Sequence, residues 1–174
     1  ETGCLKDNIK VKTLEVERIS NPGKKGLAMG TLTTAEGLYS VAIGDTTHAL
    51  GESSTAMGDD TTASGKNSTA MGHFSVANGE ESTAMGYETI ASGIRSTSMG
   101  LSTTASGYGS TAMGDITTAS GDYSTAMGLG TIASTYTETS IGHYNTIDLL
   151  TPKKAKYSEE NWFDEDRLFN IGNG

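Results

Sequence analysis

Few residues of this sequence have the type and spacing for acid–base or metal chemistry. The three histidines, His48, His73 and His143, fall at different places in the chain's repeating pattern, so we predict solvated surface roles for them rather than a metal site. Clustered carboxylates occur at residues 59–60, 80–81 and 164–166. Such clusters are more often solvated turn residues than a paired general acid and base. We therefore predict no enzymatic activity, no cofactor and no metal.

Tyrosine and arginine residues between the repeated segments are better candidates, because their side chains are favoured at protein interfaces. We predict that they bind a ligand together with one neighbouring aspartate. The candidate residues are Tyr39, Arg95, Tyr108, Asp122, Tyr123 and Tyr136. The alternative, that these positions tolerate any soluble residue, remains open.

These side chains must be positioned by a 14-residue repeat. Glycine recurs at two positions of the repeat, and we call each set of equivalent residues a column. The residue before the first glycine of each unit is Met29, Ile43, Met57, Met71, Met85, Met99, Met113, Met127 or Ile141. The second column runs at the same interval from Gly23 to Gly121 and then fails at Thr135. Internal repeats of this kind are typical of solenoids and arrays.

Each unit has two similar halves of seven residues, such as STAMG and TTASG, each followed by two variable residues. Ser, Thr and regularly spaced Gly disfavour helix and favour short strands joined by turns. We therefore predict an all-β solenoid with one 14-residue unit per coil. In both halves we expect Gly to supply a positive φ at the corner. Alternation in a strand places Ala, the residue that both halves share, in the interior.

The Met and Ile side chains then point away from the Ala interior, on one broad face only. The other face presents mostly hydroxyls, interrupted by His48, Val76, Ile90 and Ile132. An exposed apolar stripe is unfavourable on a monomer. We therefore predict a homo-oligomer with the nine Met and Ile residues at its axis.

The ends of the chain differ from the repeats. We predict a leader and capping segment at residues 1–22, head repeats at 23–147, and a neck or connector at 148–174. We expect the chain to be a fragment of a longer anchored protein or fibre. Cys4 is the only cysteine, and a free thiol, an interchain disulfide and a lipid attachment point remain open for it. The net charge of −9 argues against nucleic-acid binding, and no apolar run is long enough to insert into a membrane.

The units resemble the head repeats of trimeric autotransporter adhesins, the YadA-like family. The best match is the run from Asn67 to Gly72, followed by Ser75, Ala77 and Gly79. The resemblance covers about residues 23–147 and implies a left-handed parallel β-roll in a parallel homotrimer. Met mostly replaces the family's Ile, and Thr mostly replaces its Val. These departures leave an autotransporter, another surface anchor and a phage-like fibre open as the anchoring system.

The resemblance implies an extracellular, cell-surface protein. Our main hypothesis is a non-enzymatic adhesive head that binds a surface or matrix ligand, either protein or glycan, on a host or neighbouring cell. Multivalent display would strengthen that binding. A rigid spacer in a surface or phage-like fibre is the alternative, and ice binding through the hydroxyl-rich face is a distant third.

Overall fold

The computed structural model describes residues 25–145 and 169–173. Ten strands have five residues each: β1 Leu27–Thr31, β3 Val41–Asp45, β5 Thr55–Asp59, β7 Thr69–His73, β9 Thr83–Tyr87, β11 Thr97–Leu101, β13 Thr111–Asp115, β15 Thr125–Leu129, β17 Thr139–His143 and β18 Phe169–Asn173. Eight strands have two residues each: β2 Thr34–Ala35, β4 His48–Ala49, β6 Thr62–Ala63, β8 Val76–Ala77, β10 Ile90–Ala91, β12 Thr104–Ala105, β14 Thr118–Ala119 and β16 Ile132–Ala133. Long and short strands alternate along the chain up to β17.

The strands form two parallel sheets, one of ten long strands and one of eight short strands. Each strand up to β17 pairs with the equivalent strand one coil away, so that Ala56 lies opposite Ala70 and Met57 opposite Met71. The prediction of an all-β parallel solenoid with 14 residues per coil is confirmed.

The interior between the two sheets is made of small side chains. Every Ala from Ala42 to Ala133 in the strands has no exposed surface, as predicted. The sequence reasoning missed that the Ser or Thr two residues before each of these Ala residues is also buried. These residues form two further buried columns, one in each half of the repeat. The Ser68 hydroxyl, for example, donates a hydrogen bond to the Gly65 carbonyl oxygen at 2.7 Å. The core of each coil is therefore partly polar, and hydroxyl groups help to close its turns.

The prediction that both glycine columns supply a positive φ holds for the first column and is wrong for the second. Glycines of the first column, such as Gly72 at φ +117°, do adopt a positive φ. Those of the second column, such as Gly79, do not. A Cβ on Gly79 would instead overlap the carbonyl group of Gly93 in the next coil. Close stacking of coils, rather than a left-handed backbone, selects glycine there.

A left-handed backbone occurs at the second variable residue of each turn. Examples are Asn67 at φ +56°, Ile116 at +52° and Tyr123 at +57°. Among the described left-handed turn positions, only 109 and 130 are occupied by glycine. Residues other than Gly, Asn and Asp rarely adopt this conformation, so many turns carry local strain.

The eight-stranded sheet ends where the glycine column fails. Thr135 carries a Cβ at the position where, in the preceding described coil, a Cβ on Gly121 would overlap the backbone of the next coil. In the preceding coil, the N–H groups of Ser120 and Gly121 donate to the Ala133 carbonyl oxygen at 2.8 and 3.3 Å. In the last coil, the equivalent N–H groups of Ser134 and Thr135 donate to Glu138 Oε2 at 2.8 and 3.0 Å.

Asn145 completes this side-chain cap. Its Oδ1 accepts a hydrogen bond from the N–H of Ile132 at 2.6 Å, and its Nδ2 donates to the Ile132 carbonyl oxygen at 2.7 Å. The ten-stranded sheet continues further, because β18 pairs in parallel with β17 and places Ile171 opposite Ile141. This strand lies within the predicted connector, and the predicted segment at 1–22 and Cys4 lie outside the described residues.

Candidate binding surfaces

Two ridges of turn residues run along opposite edges of the flat coils. Ridge 1 consists of the residue pairs after the first glycine column: 31–32, 45–46, 59–60, 73–74, 87–88, 101–102, 115–116, 129–130 and 143–144. Ridge 2 consists of the pairs after the second column: 38–39, 52–53, 66–67, 80–81, 94–95, 108–109, 122–123 and 136–137. Because every coil has the same backbone path, residues of one ridge on successive coils are direct neighbours.

Arg95 on ridge 2 is held by partners on both adjacent coils. Its Nε donates to Glu81 Oε2 at 2.7 Å, and one terminal nitrogen donates to the Tyr108 hydroxyl oxygen at 2.7 Å. The hydrogen bond with Glu81, followed by the electrostatic effect of Tyr108, raises the pKa of Arg95 above its usual value. The guanidinium charge therefore has a local counter-ion.

Three tyrosines continue the same ridge as a ladder. The ring of Tyr108 lies 5.2 Å from that of Tyr123, which lies 5.9 Å from that of Tyr136, and both contacts are edge-to-face. Desolvation by neighbouring groups, and then electrostatic repulsion from Tyr108, raises the pKa of Tyr123 above its usual value. Asp122 Oδ1 accepts a hydrogen bond from the Tyr108 backbone N–H at 2.8 Å, so the aspartate fixes the backbone of the ladder.

Gly109 makes room for the central ring of this ladder. It occupies a left-handed turn position at φ +60°, and a Cβ there would lie 3.1 Å from Tyr123 Cδ1 and 3.3 Å from Cε1. The Tyr123 ring thus lies against the Gly109 backbone while the residue as a whole remains 51% exposed. The same arrangement recurs on ridge 1, where the ring of Tyr144 covers Gly130.

The structure brings five of the six candidate residues together and leaves one apart. Arg95, Tyr108, Asp122, Tyr123 and Tyr136 lie on four successive coils of ridge 2. Tyr39 lies four coils before Arg95 on the same ridge and is 58% exposed. Between them, Lys66 and Glu52 form an exposed ion pair at 3.3 Å.

Ridge 1 carries a second aromatic cluster, and none of its residues is among the six predicted ligand-binding candidates. The ring of His73 contacts that of Phe74 at a tilt of 38°, with centroids 3.9 Å apart, and lies 5.1 Å from the ring of Tyr87. His73 Nε2 is also 3.3 Å from Asp59 Oδ2. Asp59, His73 and Tyr87 are neighbours because coils stack in register, and Phe74 is adjacent to His73 in the sequence, so comparing the variable pairs 14 residues apart is the sequence signal for this cluster.

The outward face of the ten-stranded sheet carries the Met and Ile column. Met29 and Met57 are each 37% exposed, and the other members are partly exposed. On the opposite face, Thr34 Oγ1 and His48 Nδ1 are hydrogen-bonded at 2.7 Å. Across residues 25–145, no group of three or more His, Cys, Asp or Glu side chains is arranged to hold a metal ion. The described part of the chain also contains no helix capable of crossing a membrane.

Comparison with protein families explains the regular frame of the chain. A family model described as the YadA head domain repeat, in two copies, matches residues 22–47, 49–75, 77–103 and 105–131. Together these stretches make up more than half of the sequence. The chain belongs to the YadA head-repeat family. A search of curated proteins gives no match.

Each stretch that matches the YadA head repeat spans nearly two of the 14-residue coils, which agrees with the two repeat copies of the family's description. Heads of this family belong to surface adhesins, so the function of the chain is of the adhesin type in general and its location is at the cell surface. The resemblance that the sequence suggested is confirmed.

Proposed function

We propose that the chain is the binding head of a parallel homotrimeric adhesin, which attaches without catalysis to a surface or matrix ligand on a host or neighbouring cell. The ladder of Tyr108, Tyr123 and Tyr136 carries this proposal, because these aromatic side chains lie in contact with one another on an outer edge of a regular frame. Three copies of the ladder on one rod would bind a surface multivalently, and avidity would then exceed the affinity of one copy.

The outward Met and Ile column supports the trimer. It forms a continuous apolar stripe along the ten-stranded sheet, and the described chain provides no element that covers it. Burying such a stripe against identical chains gains about 25 cal/mol per Å² of apolar surface. This contribution matters here, since the interior of the coils before Glu138 consists only of small side chains.

Substitution of Met99 by Asp tests this assembly, because three carboxylates would then meet at the axis without counter-ions. We expect dissociation, measured as a fall in molar mass by light scattering from that of three chains. Thr104→Asp, on the opposite face of the same coil, is the matched control and should remain trimeric. A wild-type protein that is a stable monomer would contradict the trimer.

Binding of the purified trimer to cells and to immobilised matrix tests the adhesive role. Replacing Tyr108, Asp122 and Tyr123 by Ala should weaken binding at least tenfold while the molar mass stays unchanged. Asp59→Ala combined with Asp60→Ala provides a control on ridge 1. Unchanged binding by the ridge 2 variant would rule out this ridge as the contact surface.

A rigid spacer is the second candidate, and the uninterrupted register of nine long strands from β1 to β17 favours it. A spacer needs constant geometry and no ligand. Absence of binding to every cell and matrix tested, by a protein that is trimeric, would support the spacer over the adhesive head.

A further inference from the structure

The tyrosine ladder of ridge 2 has rings that are already in place before any ligand arrives. The Tyr123 ring lies against Gly109, and its neighbours Tyr108 and Tyr136 contact it edge-to-face at 5.2 and 5.9 Å. Rigid aromatic side chains lose little conformational entropy on binding, which favours affinity. The use of glycine at position 109, where most turns have a side chain, is what allows this ring position.

The charges beside the ladder disfavour an anionic ligand. Among the described residues, Arg95 is the nearest cation, and its guanidinium is engaged by Glu81 and by the Tyr108 hydroxyl. Asp122 adds a carboxylate, and the whole chain has a net charge of −9. Sulfated or sialylated glycans and nucleic acids would therefore meet repulsion that no free cation within residues 25–145 offsets at the ladder.

We propose, on the basis of the adhesive role proposed above, that this ladder binds a neutral oligosaccharide lying along the rod axis. The apolar faces of sugar rings pack on aromatic rings, and sugar hydroxyls donate hydrogen bonds to carboxylates such as those of Asp122 and Glu81. Successive tyrosine rings lie 5.2 and 5.9 Å apart along the rod. A chain of linked pyranose rings has a similar repeat, so successive sugars can contact successive tyrosines.

Gly109→Ala is the most informative variant because it removes no aromatic residue. The added Cβ displaces the Tyr123 ring and strains one turn. Gly130→Ala is the matched control: it adds the same methyl group at the same turn position, φ +61°, and displaces Tyr144 on ridge 1. Tyr123→Ala removes the ring itself, and the molar mass of each variant confirms that the assembly is retained.

The probes are neutral hexasaccharides of glucose and of N-acetylglucosamine, with a hexasaccharide of galacturonic acid as the anionic counterpart, measured by calorimetry against the assembled protein. We expect a neutral probe to bind, with a loss of about tenfold or more for Tyr123→Ala and Gly109→Ala and no change for Gly130→Ala. Preference for the anionic probe, absence of binding to any saccharide, or equal loss in both glycine variants would overturn the proposal.

Cell binding separates this proposal from the general adhesive role. Exhaustive periodate oxidation, which cleaves the ring vicinal diols of neutral cell-surface sugars, should abolish attachment if the ladder binds neutral glycans, whereas mild oxidation, which is confined to sialic acids, should leave it unchanged. Attachment that survives exhaustive periodate oxidation, in the absence of saccharide binding, would overturn the glycan proposal and leave the adhesive role intact. Absence of attachment to any cell, with saccharide binding retained, would overturn the adhesive role and support the glycan site.

Discussion

The second glycine column and the left-handed turn positions lie two residues apart in the chain, yet they tolerate change very differently. From Gly37 to Gly121 the column is always glycine, because a Cβ at any of these positions would overlap backbone of the next coil. Two residues later, the turn position accepts Tyr39, Ser53, Asn67, Glu81, Arg95, Gly109, Tyr123 and Thr137. Steric contact between coils keeps glycine at every position of the column, whereas a left-handed backbone alone does not restrict the turn position to one residue type. The ridges are therefore free to vary and to acquire function.

Gly93→Ala tests the rigid side of this comparison and should have the largest effect. A Cβ on Gly93 would overlap the carbonyl group of Gly107 in the next coil, so steric overlap with backbone opposes the change. We expect a loss of about 3 kcal/mol or more in the free energy of unfolding. Urea denaturation at a fixed chain concentration measures it, since assembly makes stability concentration-dependent. Gly109→Ala, in a turn, should cost only about 1 kcal/mol. Equal costs would remove the distinction between the two kinds of position.

Glu138→Ser tests the end of the frame, where the repeat breaks for a structural reason. The substitution restores the serine of the earlier coils, yet we expect it to destabilise the last coil by about 2 kcal/mol, because it removes the acceptor of the Ser134 and Thr135 N–H groups. Hydrogen exchange at these two amides should become faster. Glu88→Ser, which loses only an exposed contact with Ser102 at 3.1 Å, is the control. Unchanged exchange at both amides would contradict the capping role.

The difference between frame and ridges also explains how much the sequence could predict. A strict 14-residue period predicts coils, parallel pairing and the Ala interior, because in-register stacking repeats every contact. The same period predicts which variable residues are neighbours, so it predicts that Arg95, Tyr108 and Tyr123 lie on successive coils. It does not reveal Glu138 and Asn145, since each caps the sheet with a side chain where a repeated coil would use its backbone. The role of Gly109 was also missed, because its importance depends on where the Tyr123 ring lies.

Ile116→Asn tests the permissive side of the comparison and should stabilise the protein. Ile116 is β-branched, 56% exposed and held at φ +52°, which is costly for its side chain. Asn adopts this conformation more readily, as Asn67 does on ridge 2. We expect a gain of about 1 kcal/mol, measured as a rise in melting temperature. The reciprocal change, Asn67→Ile, should give a loss of similar size. Destabilisation by Ile116→Asn would show that the Ile side chain makes a contact that outweighs the strain.

The ion pair between Lys66 and Glu52 should show the smallest effect of all. Both side chains are about half exposed, at 51% and 49%, so solvent screens their attraction over the 3.3 Å that separates Nζ from Oε2. Exposed pairs of this kind contribute less than about 1 kcal/mol, and many contribute nothing measurable. A double-mutant cycle with Lys66→Ala and Glu52→Ala should therefore give a coupling energy of about 0.5 kcal/mol or less that disappears in 1 M salt. The control cycle, Arg95→Ala with Glu81→Ala, should give a larger coupling, since Arg95 also bonds Tyr108 and the three residues form one network. If the lysine pair proved the stronger, the additional hydrogen bond of Arg95 to Tyr108 would not strengthen the ion pair with Glu81, and the three residues would not act as one network.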